Sequence, residues 1–199
     1  MDSANRNQLA LDRWKNKKKS AWEIGICYER YVGYLLEEKG YRVKYFGATM
    51  GLEDMGRDLI ADKDGTTLVI QCKRWAKEKT IHEKHICQLY GSVAVLASQN
   101  PGKTYKGVFI SSTSLSDVAK MFAEYSNISV VENLELADYP LVKCNISKGG
   151  EKIYHLPFDQ QYDKINIQKD ERCRYVSTTK EAEKLGFRRA YSWRSSSTT

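Results

Sequence analysis

The chain has 199 residues, enough for one good core and at most a small appended module. A formal charge of +7 points to a polyanionic partner, nucleic acid before a membrane surface. No apolar run is long enough to span a bilayer, no signal-peptide core opens the chain, and five cysteines without a Cys-x-x-Cys pair fit free thiols in a cytoplasmic setting.

Residues 1–20 are polar and carry a cationic cluster at Arg13, Lys15, Lys17, Lys18 and Lys19. From Trp22 the pattern turns helical: Ile26, Tyr28, Val32, Leu35 and Leu36 recur at three- and four-residue steps, and Gly40 ends the run. Tyr41–Phe46 alternates as a strand, and a loop rich in glycine and acid follows to Gly56. Two short apolar runs come next, one opened by Asp58 and one closed by Gln71-Cys72-Lys73. Asp64-Gly65 between them is a strong turn signal, which predicts an antiparallel hairpin over roughly 57–74. A second helix is expected over 81–98, with Ile86, Leu89, Tyr90, Val93 and Leu96 buried, broken by Asn100-Pro101-Gly102. A buried strand at 107–111, a helix capped by Ser114 or Ser116 and running to about Tyr125, and a strand at 128–131 complete a parallel crossover.

This order gives an α/β fold, a mixed β-sheet flanked by helices, ending near residue 145. Ser147-Lys148-Gly149-Gly150 reads as a hinge before a small α+β C-terminal module of about 50 residues, too few for a robust core of its own. The expected parts are a basic segment 1–20, a main domain 21–146 and a module 151–194. Ser195–Thr199 is expected to be disordered.

The hairpin carries the chemistry. Side chains alternate along a strand, so Gln71 and Lys73 share a face, and the fold-back brings Asp58 to the same end. A carboxylate, an amide oxygen and an ammonium group would then hold a divalent cation and a water beside a phosphodiester.

With these elements in this order, the first ~135 residues resemble the Mrr-like branch of the PD-(D/E)XK nucleases, a restriction-endonuclease-like core. The resemblance is carried by Gly25-Ile26-Cys27-Tyr28-Glu29 with Val32, Gly56-Arg57-Asp58-Leu59-Ile60, Val69-Ile70-Gln71-Cys72-Lys73-Arg74, Gln88-Leu89-Tyr90-Gly91 and Gly107-Val108-Phe109-Ile110-Ser111. Arg57 stands where many members have proline, and Gln71 replaces the acid of the D/E-x-Lys motif. The resemblance implies Asp58 and Gln71 as metal ligands, with the Cys72 backbone carbonyl as a further one and the Cys72 thiol turned to the core. Lys73 would orient or help deprotonate the attacking water and stabilise charge on the phosphate. Glu29 matches an acid that reaches the metal directly or through water, and Gln88 is expected to support the site, facing Lys73 or a water. Mg²⁺ is the implied cofactor, with Mn²⁺ able to substitute.

DNA is the implied partner, contacted by Lys17, Lys18 and Lys19 and by Arg74, Lys77 and Lys79; a solvated arm explains the N-terminal lysines equally well. His82, His85 and Cys87 lack a fourth ligand, so no zinc is expected there, and His85 lacks the motif that accompanies a histidine nuclease base. Tyr154-His155-Leu156-Pro157 and 175–188 are similar to a small Ada-type metal-binding module whose cysteines are replaced, by Phe158 or a neighbour and by Ala190 or Trp193. Arg172, Arg174, Arg188, Arg189 and Arg194 would make it a DNA-positioning element. The function implied is a DNA endonuclease of restriction or phage defence, plausibly a homodimer and not membrane-bound. A junction- or flap-specific nuclease and a catalytically inactive DNA-binding protein are the alternatives, with RNA as a third substrate possibility.

Overall fold

The computed structural model describes residues 3–46 and 56–190. Glu53 and Asp54 of the acidic loop, Trp193, Arg194 and the expected disordered end at 195–199 lie outside the described residues. The chain divides into two compact units, Lys19–Asp138, and Met1–Lys18 together with Tyr139–Thr199.

The cationic N-terminal segment is a helix, α1 (Ser3–Asn16), and it belongs to the unit that also holds the C-terminal residues. The larger unit runs α2 (Ala21–Glu38), β1 (Arg42–Tyr45), β2 (Leu59–Lys63), β3 (Thr66–Lys73), α3 (Glu83–Gln99), β4 (Thr104–Ser111), α4 (Asp117–Tyr125) and β5 (Ser129–Val131). Helix α2 starts on a capping box: Glu23 N–H donates to Ser20 Oγ while the Ser20 N–H donates to the Glu23 carboxylate. It stops where Gly40 N–H and Tyr41 N–H turn back to the Glu37 and Leu36 carbonyls.

The five strands lie in sequence order, β1-β2-β3-β4-β5. The first two pairings are antiparallel and the last two parallel, the mixed sheet expected. Asp64 (φ 48°) and Gly65 (φ 76°) both take left-handed backbone, the requirement of a two-residue hairpin turn whose twist matches its strands. That turn sets the register Leu59↔Ile70, and alternation then divides β3 between two cores. Ile70 and Cys72 pack with Tyr28 and Val32 of α2, whereas Val69 packs with Ile86 and Leu89 of α3 and Phe109 of β4. Tyr90 departs from the expected buried stripe. It is 48% exposed, and its ring meets the edge of Phe122 on α4.

The second unit contains β6 (Val142–Ile146), β7 (Lys152–His155), β8 (Arg174–Val176), α5 (Thr179–Lys184) and β9 (Arg188–Arg189), in a sheet of order β8-β6-β7-β9. The main domain therefore stops at Asp138 rather than near 146, because β6 pairs only with strands of this unit. The expected hinge at 147–150 is the β6–β7 hairpin turn, closed by Ser147 N–H donating to the Glu151 carbonyl. Nor is α1 an arm. Leu11 is fully buried among Val142, Cys144, Tyr154 and Phe187, Asn7 donates to the Tyr154 hydroxyl at 2.8 Å, and Thr179 donates to the Ala4 carbonyl at 2.9 Å. About 50 residues were too few for a core, and the N-terminal helix supplies the missing layer.

Candidate active site

The pairing that fixes the hairpin also builds the site. Asp58 lies one residue before the Leu59↔Ile70 pair that ends the β2–β3 ladder, which puts it at the end of the hairpin where β3 continues into Gln71, Cys72 and Lys73. Its backbone is held on both sides: Asp58 N–H donates to the Ile70 carbonyl and Phe46 N–H donates to the Asp58 carbonyl, both at 2.8 Å. Its carboxylate is buried, and Oδ2 accepts from the Cys72 N–H at 2.6 Å. This short bond to a backbone N–H of β3 ties the carboxylate to the end of that strand. Arg57 is turned to Phe46, its guanidinium 5.5 Å from the ring centroid.

Gln71 is fully buried. Its Nε2 donates to Gln88 Oε1 on α3 at 3.2 Å, and its own Oε1 has no hydrogen-bond partner. Gln88 thus engages Gln71, not Lys73 or a water as expected. A buried acceptor oxygen left open next to a carboxylate is an arrangement that a hard cation would satisfy. Among the described residues no group of three or more His, Cys, Asp or Glu could hold a metal.

Lys73, the last residue of β3, is half-buried and follows Gln71 by two on the same face; its charge acts on His85 of α3. Arg74, the next residue, is exposed, and its charge acts on Tyr28 of α2. Glu29, on α2, is half-buried and reaches the rim from the other face, where Asp58 and Glu29 follow burial as causes that push the Cys72 thiol pKa well up. That thiol packs with Tyr28 and Val32, turned from the site. Tyr28 donates to the Leu134 carbonyl at 2.9 Å.

The basic residues are spread. Lys77 pairs with Glu135 at 3.1 Å on the surface, and Lys79 Nζ lies 5.9 Å from the centroid of the Trp75 ring. Lys17, Lys18 and Lys19 follow α1 where one unit gives way to the other. In the smaller unit Arg172, Arg188 and Arg189 are already paired with Asp170, Glu151 and Asp159.

Sequence reasoning missed Gly56. It takes φ +77°, and a Cβ placed there would overlap the Gln88 side-chain amide. The glycine two residues before the aspartate is what lets Gln88 reach Gln71. Its only signal was its place at the head of the aspartate motif.

A five-stranded mixed sheet with an acid, an amide and an amine at one rim is the architecture of a restriction-endonuclease-like nuclease. Residues 25–139 match the Mrr catalytic domain family, described as restriction endonuclease, and the chain belongs to that family. Among curated proteins none matches the chain. Similar solved structures include a complex of EndoMS with double-stranded DNA (19% identity, TM-score 0.46, covering 62% of this chain and 49% of that one). A repair endonuclease from Pyrococcus abyssi has 20% identity and a TM-score of 0.43, over 61% of this chain and 50% of that one. MspJI restriction endonuclease in complex with a 27-mer oligonucleotide has 16% identity and a TM-score of 0.37, over 65% and 29%. The chain spans about half or less of the length of these three structures. Among the described residues no helix is long and apolar enough to cross a membrane.

Proposed function

We propose that the protein is a metal-dependent DNA endonuclease that hydrolyses phosphodiester bonds, works with Mg²⁺ or Mn²⁺, and serves restriction or phage defence in the cytoplasm. The observation that carries the reading is the buried Asp58 carboxylate, held by the Cys72 N–H, at the end of the hairpin where the buried Gln71 amide oxygen has no hydrogen-bond partner among the described residues. A divalent cation held by Asp58, Gln71 and the Cys72 carbonyl would polarise the phosphate and lower the pKa of a bound water.

The chain's own groups do the rest. The Cys72 N–H orients Asp58, and Gln88 fixes the Gln71 amide so that its oxygen, not its nitrogen, faces the site. Lys73 orients the attacking water and offers positive charge where negative charge builds on the phosphate. Glu29 adds a carboxylate from α2 that can take a proton from that water or bind it. Arg74, Lys77 and Lys79, which leave the catalytic strand directly, and Lys17, Lys18 and Lys19 neutralise backbone phosphates. Surface pairing of Lys77 with Glu135 is worth too little to withhold it from DNA. Cutting both strands takes two such sites, which a homodimer provides.

Incubation of supercoiled and linear plasmid with Mg²⁺, Mn²⁺ or EDTA is the direct test. Wild type should nick and linearise DNA with either metal and do neither in EDTA. Asp58→Ala and Lys73→Ala should each lose about a hundredfold or more in rate while still binding DNA. DNA binding without cleavage under any divalent metal would make the protein a binding module instead. For the biological role, cells expressing wild type should yield fewer phage plaques than cells expressing Asp58→Ala.

A further inference from the structure

A half-buried imidazole on α3 has no part in the mechanism above. His85 sits in the first turn of α3, with its ring edge-on to Trp75, centroids 5.2 Å apart and planes at 83°. Trp75 is itself fixed, its N–H donating to Ser112 Oγ at 3.0 Å and its carbonyl accepting from the same hydroxyl at 3.1 Å. His85 Nε2 is buried and has no hydrogen-bond partner.

The register between α3 and β3 says what this ring faces. Strand β3 ends at the rim with Lys73, and α3 begins near it and runs back, so that Ile86 and Leu89 lie on Val69. Gln88 meets Gln71 through a hydrogen bond. From Gln88 to His85 is three residues, about 4.5 Å along the helix axis. From Gln71 to Lys73 is two residues, about 6.6 Å along the strand and toward the same rim. The pair Gln71–Gln88 is therefore followed by a second pair, Lys73–His85. Burial first, and then the charges of Lys73, Lys84 and His82, hold the His85 pKa below the ordinary imidazole value. The ring is neutral at pH 7, and one nitrogen keeps its lone pair.

We propose that His85 is the positioning residue of Lys73: its unpartnered Nε2 is the acceptor on which the ammonium group closes when the site is occupied, which fixes the amine there. A lysine side chain is a mobile point charge on four rotatable carbons, and a rigid acceptor against it removes rotamers that point elsewhere. Trp75 keeps the acceptor from turning away. What Lys73 does chemically rests on the nuclease reading; the contact between the two side chains does not.

The test uses the full chain, with His85→Ala, His85→Gln, which retains an acceptor, and His82→Ala as a control on the same helix end. In single-turnover cleavage, His85→Ala should lower the rate at saturating DNA by about tenfold to a hundredfold with the DNA dissociation constant unchanged. His85→Gln should recover most of it, and His82→Ala should match wild type. In a Lys73→Ala background the His85 substitution should add nothing. Independently of cleavage, the ¹⁵N side-chain resonance of Lys73 should be visible in metal-free protein bound to duplex, lost in His85→Ala and restored in His85→Gln. An additive double variant, or a Lys73 resonance indifferent to His85, overturns the proposal. If wild type cleaves nothing, the nuclease reading falls, and the resonance alone decides the contact.

Discussion

At the scale of single residues, one amide controls the site. On the proposed reading Gln71 is a ligand whose value depends on which end of the amide faces the cation, and Gln88 bears on that by accepting from Nε2. Substituting Gln88 with Leu, which keeps its bulk but removes the acceptor, should raise the Mg²⁺ concentration needed for half-maximal cleavage by about tenfold or more, the usual consequence of losing an outer partner of a ligand. Gly56→Ala should do the same by a different route. It forces a Cβ into left-handed backbone at a cost of about 1–2 kcal/mol and displaces the Gln88 amide, so a small loss in Tm should accompany a large loss in metal response. That Asp58, Gln71 and Lys73 come to one end of the hairpin was legible from strand alternation and a turn dipeptide. Gln88's real partner and Gly56's role were not, because both arise from α3 crossing the hairpin, which no local pattern encodes.

At the scale of elements, each strand and helix of the catalytic unit was written in short-range signals. The Asp64-Gly65 turn and the helical spacing after Trp22 appear where the sequence put them, and of the two candidate caps, Ser114 and Ser116, the helix uses Ser116. Tyr90 failed because helical spacing marks an apolar stripe but not its width, and the edge of this stripe meets Phe122 at the surface. The reciprocal cap of α2 has consequences for function, since α2 carries Glu29. Ser20→Ala removes the acceptor for the Glu23 N–H and should cost about 1 kcal/mol, read as a lower midpoint in urea with an unchanged slope. The basic segment at 1–20 shows in its sequence only a cationic cluster, which fits DNA contact or a solvated arm and not a packed helix. Leu11 and Ala4, the residues that anchor it, are too few to make a conspicuous stripe.

At the scale of the whole molecule, the smaller unit carries a histidine that makes it sensitive to mild acid. His155 is buried, and burial chiefly lowers its pKa, with Asp159 opposing and Arg189 and Lys143 reinforcing the shift. Above the ordinary imidazole value of 6.5 both folded and unfolded forms are neutral there, and stability is full. Below it the unfolded chain takes up a proton that the folded one refuses, so stability falls with pH until the folded value is passed. Thermal unfolding followed from pH 7.5 to 5 should show Tm declining below about pH 6.5, with a shallower decline in His155→Gln. A Tm that rose over that range would contradict the assignment.

The placement of α1 has one more consequence, and it concerns synthesis. Its partners, β6 through β9 and α5, are translated after the whole of Lys19–Asp138, so this helix has nothing of its own unit to fold against until they emerge. The catalytic unit, contiguous from Lys19 to Asp138, can close while that helix waits. A nascent nuclease would thus acquire its cutting rim before its flanking unit exists, and truncated products ending after Asp138 would carry an orphaned amphipathic segment at their head.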